Sequence, residues 1–158
     1  MAVWRPALVT LAIFLASALL SACGQEVTGT LGSPVTAGDY VLTATDFENP
    51  GQPPDRFTNP KPGNRFVKVN VGIDNTGQQH LPIAANYFTV RDSGGIDNPA
   101  LPGIPSDRGI RQASVGPGQH FDGVLYFEMA ANLQPQRLVF APAVVGWRTR
   151  VVVTLPEA

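Results

Sequence analysis

Apolar and polar residues alternate with a period of two over most of this chain. Arg65 to Asp74, RFVKVNVGID, puts Val67, Val69, Val71 and Ile73 on one face and Lys68, Asn70 and Asp74 on the other, the pattern of a strand with one buried side. Trp147 to Leu155 directs Trp147, Val151, Val153 and Leu155 inward around Thr149 and turns Arg148 and Arg150 outward, so it is expected to be the closing strand. His120 to Met129 sets Phe121, Leu125, Phe127 and Met129 against His120, Asp122, Tyr126 and Glu128. Gly123 interrupts that run, which marks a bulge or a close backbone approach. Shorter strands are predicted at Tyr40–Phe47, Tyr87–Asp92, Ile110–Val115 and Gln136–Ala141. With a weak first strand this makes seven or eight, the count and spacing of an all-β antiparallel sandwich.

The links between these runs carry turn chemistry. Asn75-Thr76-Gly77, Ser93-Gly94-Gly95 and Pro117-Gly118 each supply a preset or positive φ where the chain reverses. Pro50 to Gly63, PGQPPDRFTNPKPG, is a proline-rich loop that cannot be a central strand. The chain of 158 residues holds 15 prolines and 16 glycines, about a fifth of its length against roughly 12% in average usage, so long helices are not expected. With 44% hydrophobic and 15% charged residues it can build a core.

The N-terminus has a different character. Residues 1 to 23, MAVWRPALVTLAIFLASALLSAC, hold Arg5 as their one charge and then an apolar run from Ala7 to Leu20. That run is shorter than the ~20 residues of a spanning helix and suits the hydrophobic segment of a secretory signal. It ends in Leu20-Ser21-Ala22-Cys23, which resembles the bacterial lipobox, where small residues precede the cysteine that receives a diacylglyceryl group. Residues 1–22 are therefore expected to be a cleaved lipoprotein signal with Cys23 as the lipidated mature N-terminus. Residues 23–37 read as a tether rich in glycine, serine and threonine, and 38–158 as the sandwich. Because Val27 to Leu31 has the makings of a first edge strand, the tether ends between Val27 and Ala37 on this reading.

Cleavage leaves 136 residues with 10 basic and 12 acidic side chains. Neither sign forms a run, so no nucleic-acid footprint is present. Cys23 is the one cysteine, which excludes an internal disulfide and a multi-cysteine metal cluster.

The run from Arg65 through Asp74 to Asn75-Thr76-Gly77 resembles the strand-and-turn signature of an extracellular bacterial family of unknown function. Phe88 to Gly95 and Pro117-Gly118 through Gly123 to Phe127-Glu128 match in the same order. That resemblance implies an immunoglobulin-like antiparallel β-sandwich outside the cell, like that of the immunoprotective extracellular protein of mycobacteria and often attached as a lipoprotein. It brings no catalytic residues.

Residue by residue, the candidate chemistry is thin. Asp92-Ser93-Gly94-Gly95 shares letters with the nucleophile segment of chymotrypsin-like proteases. Its only upstream histidine, His80, is 13 residues away, so a turn is expected. His80, His120 and Met129 lack the free thiolate that a blue-copper site requires, and both histidines are expected in solvent. Asp92, Asp97 and Asn98, and separately Asp46 and Glu48, offer oxygens for calcium, but not at EF-hand spacing, and no metal or cofactor is assigned. Arg148 and Arg150, with Lys68 nearby, could meet an anionic polymer, although such alternation usually makes a solvated sheet face. Phe57 and Tyr87, in or near loops, could anchor a partner as aromatics do at interfaces, but burial under the loops is expected.

The reading that results is a membrane-anchored extracytoplasmic lipoprotein whose sandwich binds an envelope partner without catalysis. The membrane is met through the N-terminal lipid. The alternative is a small-ligand or metal-binding lipoprotein accessory to a transporter.

Overall fold

The structure, a computed structural model, describes residues 24–102, 109–143 and 149–157. In chain order the strands are β1 (Glu26–Thr30), β2 (Val35–Ala37), β3 (Tyr40–Glu48), β4 (Asn64–Asn75), β5 (Leu81–Ala84), β6 (Phe88–Asp92), β7 (Asp97–Pro99), β8 (Gln112–Val115), β9 (His120–Ala130), β10 (Pro135–Phe140) and β11 (Arg150–Thr154). A 3-10 turn, Ala85–Tyr87, precedes β6. Five strands form one sheet in the order β1-β11-β10-β6-β7, four form a second in the order β2-β3-β4-β9, and β5 pairs with β8. The expected all-β sandwich is what forms.

The four-stranded sheet is built on β4. Val67, Val69, Val71 and Ile73 are all at most 1% exposed, so each alternate position of the predicted strand enters the core. Each such side chain stabilises the fold by about 1.5–3 kcal/mol relative to exposure. On one edge β4 pairs antiparallel with β3 from Glu48↔Lys68 to Tyr40↔Asn75, and on the other with β9 from Asn64↔Ala130 to Asp74↔His120. Leu125, Phe127 and Met129 of β9 meet Leu42 and Ala44 of β3 in the same core. The facing sheet contributes Phe88, Val90, Leu138, Phe140, Val151 and Val153. Phe140 stacks on Phe88, with centroids 4.5 Å apart, and meets the Tyr40 ring edge-on at 5.5 Å. The Tyr40 hydroxyl crosses between sheets to donate to the Thr149 carbonyl at 3.0 Å, and burial pushes its pKa up to about 12.

Among the described residues eleven strands replace the seven or eight expected. The unforeseen ones, β2, β5 and β7, are three or four residues long, and β5 and β7 contain Pro82 and Pro99. So short a run shows almost no periodicity, and proline is tolerated there because an edge position leaves its missing N–H unneeded.

The N-terminal segment also differs. Val35–Ala37, placed in the tether by sequence, is a strand of the sandwich, and the weak first strand expected around Val27 to Leu31 forms as Glu26–Thr30. β1 runs parallel to β11 from Glu26↔Arg150 to Thr30↔Thr154, the one parallel pairing among the described strands. Its own side chains are mostly exposed, so the pairing rests on backbone hydrogen bonds to β11, which composition does not reveal. A Cβ on Gly29 would lie 2.3 Å from Val35 Cγ2, so glycine lets β1 pass close to β2. Among the described residues only Gly24 and Gln25 precede the sandwich. Cys23 and its preceding residues lie outside the described residues, as do Trp147 and Arg148.

Each end of β4 is tied by a polar hub. At its C-terminal end the buried Asn75 amide donates to the Gln79 and Val115 carbonyls, at 2.7 and 2.8 Å, and accepts from the Gly77 N–H at 3.0 Å. The turn before β3 joins it, since the Asp39 carbonyl accepts from Thr76 and Gly77. At the opposite end Arg65 donates to Asn49 Oδ1 at 2.7 Å, to the Leu133 carbonyl at 2.8 Å and to the Ala131 carbonyl. Glu128 there accepts from the Lys61 N–H and the Asn64 amide, each at 2.8 Å, which fastens the proline-rich loop.

Gly123 sits in regular register opposite Val71, so there is no bulge. The approach it permits is that of a side chain, because an added Cβ would fall 2.4 Å from Ile110 Cγ1. Gly123→Ala should therefore lower stability by about 1–3 kcal/mol. In a chemical-denaturation double-mutant cycle the cost should shrink on an Ile110→Ala background; an equal cost in both would show that Ile110 does not fill that space.

Candidate functional site

The sequence-predicted sites fall apart in space. Asp92 is 1% exposed and its carboxylate is spent within its own turn. Oδ1 accepts from the Gly94 and Ile96 N–H groups at 2.9 and 3.0 Å, and Oδ2 from the Asn98 amide at 2.9 Å. Asp97 receives Arg91 Nε and Nη2, both at 2.8 Å, and Arg91 holds its carboxyl below the usual carboxylate range. Asp46 accepts from the Phe47 N–H and the Asn70 amide, while Glu48 pairs with Lys68 at 2.5 Å. These oxygens therefore serve the fold as hydrogen-bond acceptors. Among the described residues no group of three His, Cys, Asp or Glu side chains is arranged to hold a metal.

Ser93 Oγ accepts the Gln134 N–H at 3.0 Å, so the protease-like letters form a turn staple. Met129 is buried at one end of β9 and His120 is half exposed at the other, roughly 30 Å apart for nine residues of strand. His80 contacts Ser114 Oγ at 3.3 Å.

Two expectations need correction. Lys68 and Arg150 do not share a surface: Lys68 lies on the outer face of the four-stranded sheet and Arg150 on that of the five-stranded one. Phe57 is 77% exposed rather than buried. Asp55 Oδ1 accepts the Phe57 and Thr58 N–H groups at 2.7 and 2.8 Å, and this turn throws the ring into solvent beneath Arg56, whose Cζ lies 4.6 Å from its centroid. Tyr87 is half-buried against the core.

What sequence reasoning missed is the outer face of the five-stranded sheet. Register sets Arg137 of β10 directly opposite Arg91 of β6 and Thr154 of β11, so all three share that face with Arg150, four residues before Thr154. Val139 and Val152, paired across β10 and β11, are 7% and 4% exposed on the same face, as expected where arginine stems cover the sheet. Arg91 is neutralised by Asp97, and Arg150 by Glu26, 3.1 Å from Nε to Oε2 although the N–H points off line. Arg137 has no such partner among the described residues. Beside it opens a groove of about 540 Å³ that runs from Ser93 and Gln134 to Thr154 and Glu157. Outward alternation of Arg137 is legible in the sequence, but its neighbours come from strands far away in the chain.

One titratable cluster stands at the opposite end of the sandwich. His120 Nδ1 lies 2.6 Å from Asp74 Oδ1, and Nε2 lies 3.0 Å from Asp122 Oδ1. Hydrogen bonds to Asp74, then Asp122, raise the imidazole pKa above its ordinary 6.5. Because the folded-state pKa is the higher one, the stabilisation is complete below pH 6.5 and is lost as pH rises through the raised value. The group is half exposed, so the effect is at most about 1 kcal/mol. The melting-temperature difference between wild type and His120→Gln should be largest below pH 6.5 and fade toward alkaline pH; a pH-independent difference would contradict the pairing.

Comparison with known proteins places this architecture. The yjhA protein of Bacillus subtilis superposes with a TM-score of 0.61 at 17% identity, covering 84% of this chain and 99% of its own. MPT63, a secreted protein of Mycobacterium tuberculosis, gives 0.60 at 18% identity, with 82% and 97% covered. The candidate lipoprotein ycdA of B. subtilis gives 0.61 at 16% identity over 76% of this chain and 37% of its own. At these identities the likeness is one of fold. No curated protein matches the chain. The sequence signature of the family described as domain of unknown function DUF4352 matches residues 29–150, from within β1 to the first residue of β11, and this chain belongs to that family.

Proposed function

We propose that this protein is an extracytoplasmic lipoprotein whose sandwich is a non-enzymatic binding module, held on a membrane by a diacylglyceryl group on Cys23 and directed at an envelope partner. The observation that carries the reading is the junction of Leu20-Ser21-Ala22-Cys23 with a domain that begins at Glu26. Only Gly24 and Gln25 separate the modified cysteine from β1, so the anchor leads almost directly into a folded strand.

Polarity follows from that junction. The Gln25 carbonyl accepts the Arg150 N–H, which puts the chain entry at the end of the sandwich that carries Thr149, Tyr40, the Asp39 turn and the Asn75 hub. That end faces the membrane on this reading. The proline-rich loop, exposed Phe57 and the Arg137 groove lie toward the other, roughly 36 Å away along the twelve residues of β4. Asp39, Asp74 and Asp122 give the membrane-facing end carboxylates that an anionic bilayer would repel, so acyl chains must hold the domain there. Their burial contributes roughly 0.8 kcal/mol per methylene, and two chains suffice where one binds only transiently.

Cys23→Ser should abolish partitioning into the detergent phase and remove the mass of the diacylglyceryl group from the mature chain. Unchanged mass and partitioning would overturn lipid attachment.

A further inference from the structure

We propose that the groove beside Arg137 is a binding site for a small organic carboxylate, such as the C-terminal carboxylate of a peptide. The proposal names the ligand class for the binding-module reading, on which it rests, and does not depend on lipid attachment. Of the three arginines on this sheet face, two have a carboxylate supplied from a neighbouring edge strand, Asp97 of β7 for Arg91 and Glu26 of β1 for Arg150. Arg137, on the central strand, has none among the described residues. It stands directly opposite Arg91, whose charge Asp97 already balances, so Arg137 is the unbalanced cation of this cross-strand pair.

The surroundings suit a ligand. A groove of about 540 Å³ is the size of a small-molecule site. Ser93, Gln134, Gln136 and Thr154 line it with hydroxyl and amide side chains that carry donors, the Gln134 Oε1 being already engaged by Asn49 Nδ2 at 3.3 Å. The Ser93 oxygen already accepts the Gln134 N–H, which leaves its own proton free to donate. Arginine presents a planar fork of N–H donors that matches a carboxylate in two parallel bonds. Glu157 lines the same groove and sets the charge class. It penalises a second negative charge, as on a phosphate dianion, and favours a ligand that carries one carboxylate with a neutral or cationic group beside it.

Calorimetric titration of the full-length protein in detergent tests this with trialanine, its C-terminal amide and inorganic phosphate. Trialanine should bind, and the amide should bind at least about tenfold more weakly, as should trialanine to Arg137→Gln. Arg150→Gln, which removes an arginine already paired with Glu26, should keep the wild-type affinity. Arg137 is exposed, so its variant should melt with the wild type and report on binding alone. The site is overturned if trialanine does not bind, if the amide or the Arg137→Gln variant binds equally well, or if Arg150→Gln loses as much affinity. Phosphate binding tighter than trialanine would overturn the carboxylate class. None of these results bears on membrane partitioning, which reads Cys23 alone.

Discussion

β4 is hydrogen-bonded along both of its edges while one entire face, Val67 through Ile73, is sealed in the core. A strand held in this way cannot slip by one residue, because a slip would carry all four apolar side chains into solvent and bring Lys68 and Asn70 inside. The registers of β3 and β9 are fixed as a consequence. The ends of β4 become fixed points from which loops are hung. Asn75 gathers the turns of residues 76–80, 116–119 and 38–39, and Arg65 gathers Asn49 and the turn before β10. Both hubs use one side chain to satisfy several backbone groups, which a loop crossing the mouth of a sandwich otherwise leaves unpaired.

Such an arrangement gives the molecule two distinct ends and a rigid body between them. The chain enters at the Asn75 end, where carboxylates gather around His120. The Arg65 end carries the long proline-rich loop and, toward it, the open groove. The candidate chemistry sits on the outer face of a sheet, where register can align arginines from β6, β10 and β11. Its acidic partners come from the two edge strands β1 and β7, so the short strands that contribute little to the core set the charge pattern of this face.

How much of this can be read from sequence depends on length scale. Strands of nine or more residues announce themselves: β3, β4 and β9 lie within one residue of their predicted bounds, because period-two alternation sustained over that length is the mark of a strand with one buried face. β5 and β7 leave no such mark because three or four residues with a proline do not alternate, and β1 leaves little because its place depends on β11, more than a hundred residues away. Similar limits apply to the site. The outward direction of Arg150 is legible; its separation from Lys68, and its company with Arg137 and Arg91, follow from sheet order. The hydrophobicity of Phe57 suggests burial, whereas the Asp55 turn beside it directs the ring outward. The loop carboxylates look like metal ligands in one dimension, and in three they are engaged by N–H groups of their own turns and by Arg91 and Lys68.

The central claim is that a rigid sandwich stands on a membrane by the end where its chain enters and presents the other outward. Because Cys23 is the one cysteine and is consumed by the lipid on this account, a single new cysteine can be labelled without competition. The measurement is fluorescence quenching by spin-labelled lipid headgroups, with the lipidated protein in vesicles labelled at Gln78→Cys in one preparation and Phe57→Cys in another. The account predicts strong quenching at position 78 and little at position 57. Equal quenching at the two positions, or the reverse order, would contradict it.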